Sequence, residues 1–397
     1  MHALSRRRLL RGGAAVAAGA ALPRLAHATP GSNSAVVIAF LYGGYNALFG
    51  SAKSFLTQGT FGTSSQTVRA LGPDLSVDAT TFGDAALFPT AALSRMATVG
   101  VNHQLSAHTP AQRALFAVGN ERSAPLVLAN LMQPAPATLP CVLLGGAPPG
   151  THPPEGAISL QRVSDMTPTL ELFGARAPSQ SPAPNLTRTA SVAALDSARR
   201  LSQARLTANP NSLRSLSEGY ESALAVMGGA ATAPLDFDAI ATAYAVTGRA
   251  LTTFAHQMAA AEAMIGLGSR VIITSDTGWD THNDRDGSLV RQRMRQRILP
   301  GLKTFVERMV LSGTRNVTVC LMGDFARSLP GSDHASCLAA TVIGTRVLQG
   351  STGVMNGAVG LPPGAPGVDG LWAYLAACAQ APAGEFNANP HTGLVMP

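Results

Sequence analysis

The sequence predicts an α/β fold with a mostly parallel central sheet and helices on both faces, and three observations lead there. Four short apolar runs are bounded by turn formers and are too short for helices. Longer segments with helical periodicity lie between and beside them, an alternation that builds a parallel sheet covered by helices. Each apolar run also empties into a cluster of glycine or polar residues, where open α/β sheets carry their ligands.

The four runs are Ala35–Leu41, Ala97–Val101, Arg270–Thr274 and Asn316–Met322. Between the last two, a helix is expected from Ser288 to Leu311, kinked or split by Pro300 because proline lacks the N–H and crowds the preceding turn. A second helix is expected from Phe237 to Ile265, ending at Gly266 and Gly268, and a third from Ala190 to Leu206. Two Pro-rich stretches, Gln133–Pro154 and Ala175–Pro184, hold too many breakers for regular elements and read as surface loops. They mark no domain boundary, so residues 29–397 are expected to form one α/β domain.

Residues 1–28 have the three zones of an export signal. Ser5-Arg6-Arg7-Arg8-Leu9-Leu10 supplies paired arginines, Gly12–Leu22 a weakly apolar stretch, and Ala26-His27-Ala28 a small-x-small cleavage site. This pattern matches a twin-arginine signal, which implies the twin-arginine translocase as a partner and a periplasmic or secreted mature protein. Removing the segment takes away five of the 29 basic residues and none of the 22 acidic ones, bringing the formal charge from +7 to +2. The basic balance therefore belongs to the signal, and no nucleic-acid partner is expected. No later stretch approaches the roughly 18 apolar residues of a membrane span. The four cysteines, Cys141, Cys320, Cys337 and Cys378, lack zinc or thioredoxin spacing. They are read as buried thiols, with a Cys337–Cys378 disulfide as the alternative in an oxidising compartment. No Rossmann glycine pattern, haem motif or iron–sulfur spacing supports a redox protein.

The chemistry-bearing residues stand at the strand ends. The first run leads to Gly43-Gly44-Tyr45-Asn46, and the second to His103, Ser106, His108 and Thr109. The third leads to Trp279-Asp280-Thr281-His282, and the fourth to Asp324-Phe325-Ala326-Arg327 and then Asp333-His334. Carboxylates and imidazoles from distant segments would meet at one rim, as a divalent metal site requires. Oxygen and nitrogen donors suit zinc or manganese, and an oxygen-rich set suits calcium. Each piece also has a structural reading. Asp-Thr-His makes a capped turn, Asp324 a helix cap, Asn46 a turn residue, Arg327 a surface ion pair and His103 a core histidine.

The same segments resemble the exported proteins of the domain-of-unknown-function 1501 (DUF1501) family, over most of the chain from about Val36 onward. Trp279-Asp280-Thr281-His282 and Asp324-Phe325-Ala326-Arg327 with Asp333-His334 carry the likeness most specifically. Gly43-Gly44-Tyr45-Asn46-Ala47-Leu48 and Ala107-His108-Thr109-Pro110-Ala111 are further matches. That resemblance implies a fold like that of alkaline phosphatases and sulfatases. It also implies a divalent metal held by Asp280, His282, Asp324 and His334, with Asn46 and Asp333 beside them. Ser106 or Thr109 would be the nucleophile, with His108 and Arg327 steadying a small anionic ester. Two departures bear on the chemistry: Asn46 stands where the family has Asp, and Ala107 where it has Ser. Two functions are therefore expected in competition. One is an exported metal-dependent hydrolase of phosphate or sulfate esters; the other is a non-catalytic exported binding or assembly protein that keeps the fold.

Overall fold

The computed structural model describes residues 33–132, 139–156, 158–172, 235–327, 332–356, 358–382 and 384–397, with 193 and 197 as isolated helical positions. The expected signal segment, the second Pro-rich stretch and, apart from those two positions, the expected helix from Ala190 to Leu206 lie outside the described residues. Among the described residues, no helix is long and apolar enough to cross a membrane.

In chain order the strands are β1 Ser34–Leu41, β2 Val68–Ala70, β3 Ser76–Asp78, β4 Met96–Asn102, β5 Ala117–Val118 and β6 Arg122–Ser123. They continue as β7 Cys141–Leu144, β8 Gln161–Val163, β9 Val271–Asp276, β10 Asn316–Gly323, β11 Cys337–Gly344 and β12 Gly350–Ser351. The helices are α1 Leu48–Ser51, α2 His108–Leu115, α3 Ala124–Leu131, α4 Met166–Leu172 and α5 Phe237–Ala243. After them come α6 Phe254–Gly266, α7 Ser288–Arg293, α8 Leu299–Phe305 and α9 Val368–Cys378.

An α/β architecture with a mostly parallel eight-stranded sheet results, in the order β12-β4-β11-β10-β1-β9-β7-β8. Only β11 runs against its neighbours, β10 and β4. All eight residues of β1 are buried, as a central strand covered on both faces requires. Helices α3 and α6 pack against β9, and α9 against β4.

The register explains why the strand ends converge. Leu41 at the end of β1 is level with Asp276 in β9 and Gly323 in β10, so three loops leave the sheet at one height. Antiparallel pairing sets Asn102, the last residue of β4, opposite Cys337, the first of β11. The chain entering β11 through His334 therefore shares that rim with the chain leaving β4 toward His108.

All four expected apolar runs are strands, but other elements differ from expectation. The first Pro-rich stretch is no mere surface loop: its Cys141–Leu144 segment is a fully buried strand between β9 and β8. Four apolar residues suffice for a strand there because neighbours on both sides supply the pairing. Strand β11 went unread because Cys337–Gly344 looks like a small-residue segment without helical or alternating period. The expected 237–265 helix is two helices. The chain turns at Tyr244 to Thr253, with Ala245 and Gly248 at positive φ, and Thr253 restarts the helix by accepting the His256 N–H. The expected helix is divided into α and π segments around Pro300. A π-turn at Met294–Ile298 widens the ladder just before it, with the Leu299 N–H donating to the Met294 carbonyl, and Pro300 enters the first turn of α8. All four cysteines are free and buried, so the Cys337–Cys378 alternative is not formed.

Two histidines make the fold pH-sensitive. His103 accepts the Leu105 N–H at Nδ1, and His391 Nδ1 meets Thr352 Oγ1 at 2.9 Å, while the Nε2 atom of each is buried without a partner. Burial lowers both imidazoles to about 4, well below the free value. The unfolded chain then binds protons that the folded chain refuses between the two values, so stability falls as pH drops from about 6.5 to 4. Roughly 1–3 kcal/mol should be lost for each group over that window, and less for the partly exposed His103. Urea midpoints at pH 7.5 and 4.5 test this, and equal midpoints would rule it out.

Candidate metal centre

The three loops that leave the sheet at one height cross at Gly43. Its φ of +111° suits glycine, and a Cβ there would fall 2.1 Å from the Asp280 nitrogen. The Gly43 N–H donates to Asp324 Oδ2 at 3.1 Å, and its carbonyl accepts from Arg327. The Gly43-Gly44 pair thus locks the β1 loop against the loops that carry Asp280, Asp324 and Arg327. Sequence reading assigned these glycines to turn chemistry and missed the crossing.

Three imidazoles and one carboxylate meet above this crossing. Asp280 Oδ1 lies 3.0 Å from His282 Nε2 and 3.7 Å from His334 Nε2, while its Oδ2 lies 3.7 Å from His108 Nε2. His282 and His334 face each other at 3.0 Å between Nε2 atoms. His108, Asp280 and His334 form one group with all donor atoms within 4.8 Å; His282, Asp333 and His334 form a second, sharing His334. Two ligands at tetrahedral angles around zinc stand about 3.3 Å apart for bonds of roughly 2.0 Å, so these separations are on the right scale.

Each Nδ1 also faces an acceptor. His108 Nδ1 bonds Asp324 Oδ2 in a very short contact, His334 Nδ1 lies 2.7 Å from the Ser106 carbonyl, and His282 Nδ1 lies 3.3 Å from Asp333 Oδ1. With an ion in place each Nδ1 would donate to these acceptors and each Nε2 would offer a lone pair; without one, the 3.0 Å contact between His282 and His334 Nε2 requires a proton on one of the two. Outer acceptors of this kind orient metal-binding histidines and raise their basicity.

Asp324 and Arg327 lie beneath the cluster. Asp324 is 0% exposed and both oxygens are used: Oδ2 by His108 and Gly43, Oδ1 by Gln112 at 3.1 Å. Burial raises its pKa, and those hydrogen bonds pull the other way. It therefore sits behind His108. Gln112 went unnoticed in the sequence, although its spacing of four from His108 puts both on one helix face. Arg327 is 1% exposed and donates to Asp280 Oδ1 and to the carbonyls of Gly43, Trp279 and Ser332. Burial lowers its pKa and the Asp280 charge opposes that. For the 47% exposed Asp280, burial also acts against the charge, but the Arg327 pair and the imidazoles outweigh it and leave the carboxyl below its usual range.

The remaining expected residues are placed differently. Asn46 is buried, its Oδ1 accepts the Leu48 N–H at 3.0 Å, and its Nδ2 has no partner. That is the turn role, with the oxygen occupied away from the imidazoles. Ser106 contributes its carbonyl to His334, and the Ser106 and Thr109 side chains are exposed at the start of α2. His103 stays outside the cluster.

The DUF1501 model, described as a protein of unknown function, matches residues 91–360. The chain belongs to that family. The matched range holds every charged and imidazole group of the cluster and leaves out Gly43. No curated protein matches the chain.

Asp324→Asn isolates the outer partner in this DUF1501 protein. It keeps the shape and the Gly43 and Gln112 neighbours but weakens the hold on His108, so divalent-metal affinity should fall roughly 10–100-fold. Competition with a chromophoric chelator reads this directly, and unchanged affinity would remove Asp324 from the site.

Proposed function

We propose that the chain is an exported, metal-dependent hydrolase of phosphate or sulfate esters, with His108, Asp280, His282 and His334 as the metal ligands. The observation that carries this reading is the convergence of three Nε2 atoms on one carboxylate, with an acceptor beside each Nδ1. Such a set fits zinc or manganese better than calcium, which prefers oxygen donors throughout. A divalent ion held there would polarise an ester oxygen and make water a better nucleophile. The ester class rests on the likeness of the motif segments to the alkaline phosphatase and sulfatase relatives.

The chain's own residues divide the work. Arg327 is committed to Asp280 and three carbonyls, so it positions the ligand and does not reach a substrate oxygen. Helix α2 begins at Ala107 without a side-chain cap, so its first backbone N–H groups point out beside His108, where an anionic group is favoured. Among the described residues the Ser106 and Thr109 hydroxyls are exposed and make no hydrogen bond to a base. We therefore assign the attack to water and keep those side chains out of the covalent chemistry.

Asn46 and Ala107 favour the second reading, a binding protein that retains one ion. Protein from the exported fraction, assayed against phosphate and sulfate esters with zinc or manganese, separates the two. Hydrolysis that a chelator abolishes and added metal restores supports the enzyme. Bound metal with no turnover of any ester supports the binding protein.

A further inference from the structure

Apart from the histidine cluster, the segment 285–297 is the most basic part of the described chain, with five arginines against one acid, Asp286. Its arginines fall on two faces at helical spacing. Arg293 and Arg297 flank Gly278 in the Asp280 loop, where a Cβ would lie 3.8 and 3.7 Å from their guanidinium atoms. Arg291 and Arg295 line a different place, an open cavity of about 340 Å³ walled by Thr80, Ser288, Gln292 and Gln296 as well.

The cavity wall brings together two guanidinium groups and two side-chain amides, and Arg291 is prearranged. Buried Asp78 accepts Arg291 Nε at 2.6 Å through Oδ2 and both the N–H and the hydroxyl of Thr80 through Oδ1. Arg291 Nη1 is held by the Asp286 carbonyl, but its Nη2 is buried with no partner. Arg295 gives one N–H to the Thr80 carbonyl and, among the described residues, pairs with no acid, so its charge is uncompensated there. Asp286 is engaged locally, accepting the Ser288 N–H. A buried guanidinium nitrogen with nothing to bond, beside a second guanidinium and two amides, matches an oxyanion with several acceptor oxygens.

We infer that Arg291 and Arg295 form a binding pocket for a tetrahedral oxyanion, phosphate or sulfate, sharing no residue with the histidine cluster. The guanidinium edge of Arg295 bonds the anion, Arg291 supplies a second positive charge from the cavity wall, and Gln292 and Gln296 carry amide donors. Asp78 holds Arg291 in place from behind.

Calorimetric titration of the full chain with inorganic sulfate and, separately, inorganic phosphate at low ionic strength tests the pocket, with chloride as the control. Arg295→Gln is the informative variant, because among the described residues its only hydrogen bond is to the Thr80 carbonyl. Affinity for the preferred anion is expected to fall about 10-fold or more, the scale of a charge-assisted hydrogen bond. In His334→Ala with chelator present it should be unchanged. The tighter of the two anions identifies the source of the ligand. Absent binding in the parent, equal affinity in Arg295→Gln, or binding lost with His334→Ala would each overturn the assignment.

Discussion

His334→Ala is expected to remove divalent-metal binding while leaving most of the metal-free protein's stability intact. The imidazole reaches both candidate ligand groups, so its loss should cost more than the roughly 10–100-fold that follows loss of an outer partner. Its side-chain attachments are few: one hydrogen bond to the Ser106 carbonyl, one to His282 Nε2, and ring contacts with Phe325, His108 and His282. Asp280→Ala should differ in an instructive way. It removes a proposed ligand and also strips the buried Arg327 of the one carboxylate bond it makes among the described residues, so it should lose metal and stability together. Metal content after gel filtration, with melting temperature measured with and without zinc, separates the two. Binding of metal stabilises the folded state by mass action, about 2.7 kcal/mol at a hundredfold excess over Kd. A zinc-dependent rise in melting temperature that survives in His334→Ala would sink the proposed ligand set.

Gly43→Ala should be the most damaging single substitution near the site. The added carbon would fall 2.1 Å from the Asp280 nitrogen, 2.6 Å from the Trp279 carbonyl carbon and 2.8 Å from the Asp280 Cα, all backbone atoms that no rotamer change can move. The residue would also be forced to a φ of +111°, which side-chain-bearing residues avoid. Relief requires the Asp280 loop to lift off β1, which would break the Gly43 bonds to Asp324 and Arg327. A stability loss of roughly 3 kcal/mol or more is expected, on the scale of overpacking combined with backbone strain. Metal binding should be lost with it. Chemical denaturation measures the first and chelator competition the second. A variant with parental stability and affinity would show that the loops do not depend on this crossing.

Much of the frame was legible in the residues. Strands β1, β4, β9 and β10 could be read because each is an apolar run closed by turn formers. The same rule failed for β7, hidden among prolines, and for β11, whose Ala and Thr residues carry no period. Helix α6 was merged with α5 because periodicity continues across a turn that Thr253 and the positive-φ residues Ala245 and Gly248 create.

What the sequence by itself determined is the supply of chemistry: which segments carry histidine and carboxylate, and that those segments follow strands whose ends can share a rim. Only the tertiary structure decided which groups face the rim and which lie behind it. Asp324 and Arg327, expected as a ligand and an anion contact, are buried beneath the cluster with Asp324 bonded to His108 Nδ1, and the Asn46 oxygen accepts the Leu48 N–H. The reason is physical. A metal site is set by the direction of lone pairs, and that direction depends on hydrogen bonds between residues as much as 281 positions apart, as with Gly43 and Asp324. No local pattern in the chain encodes such a distant bond.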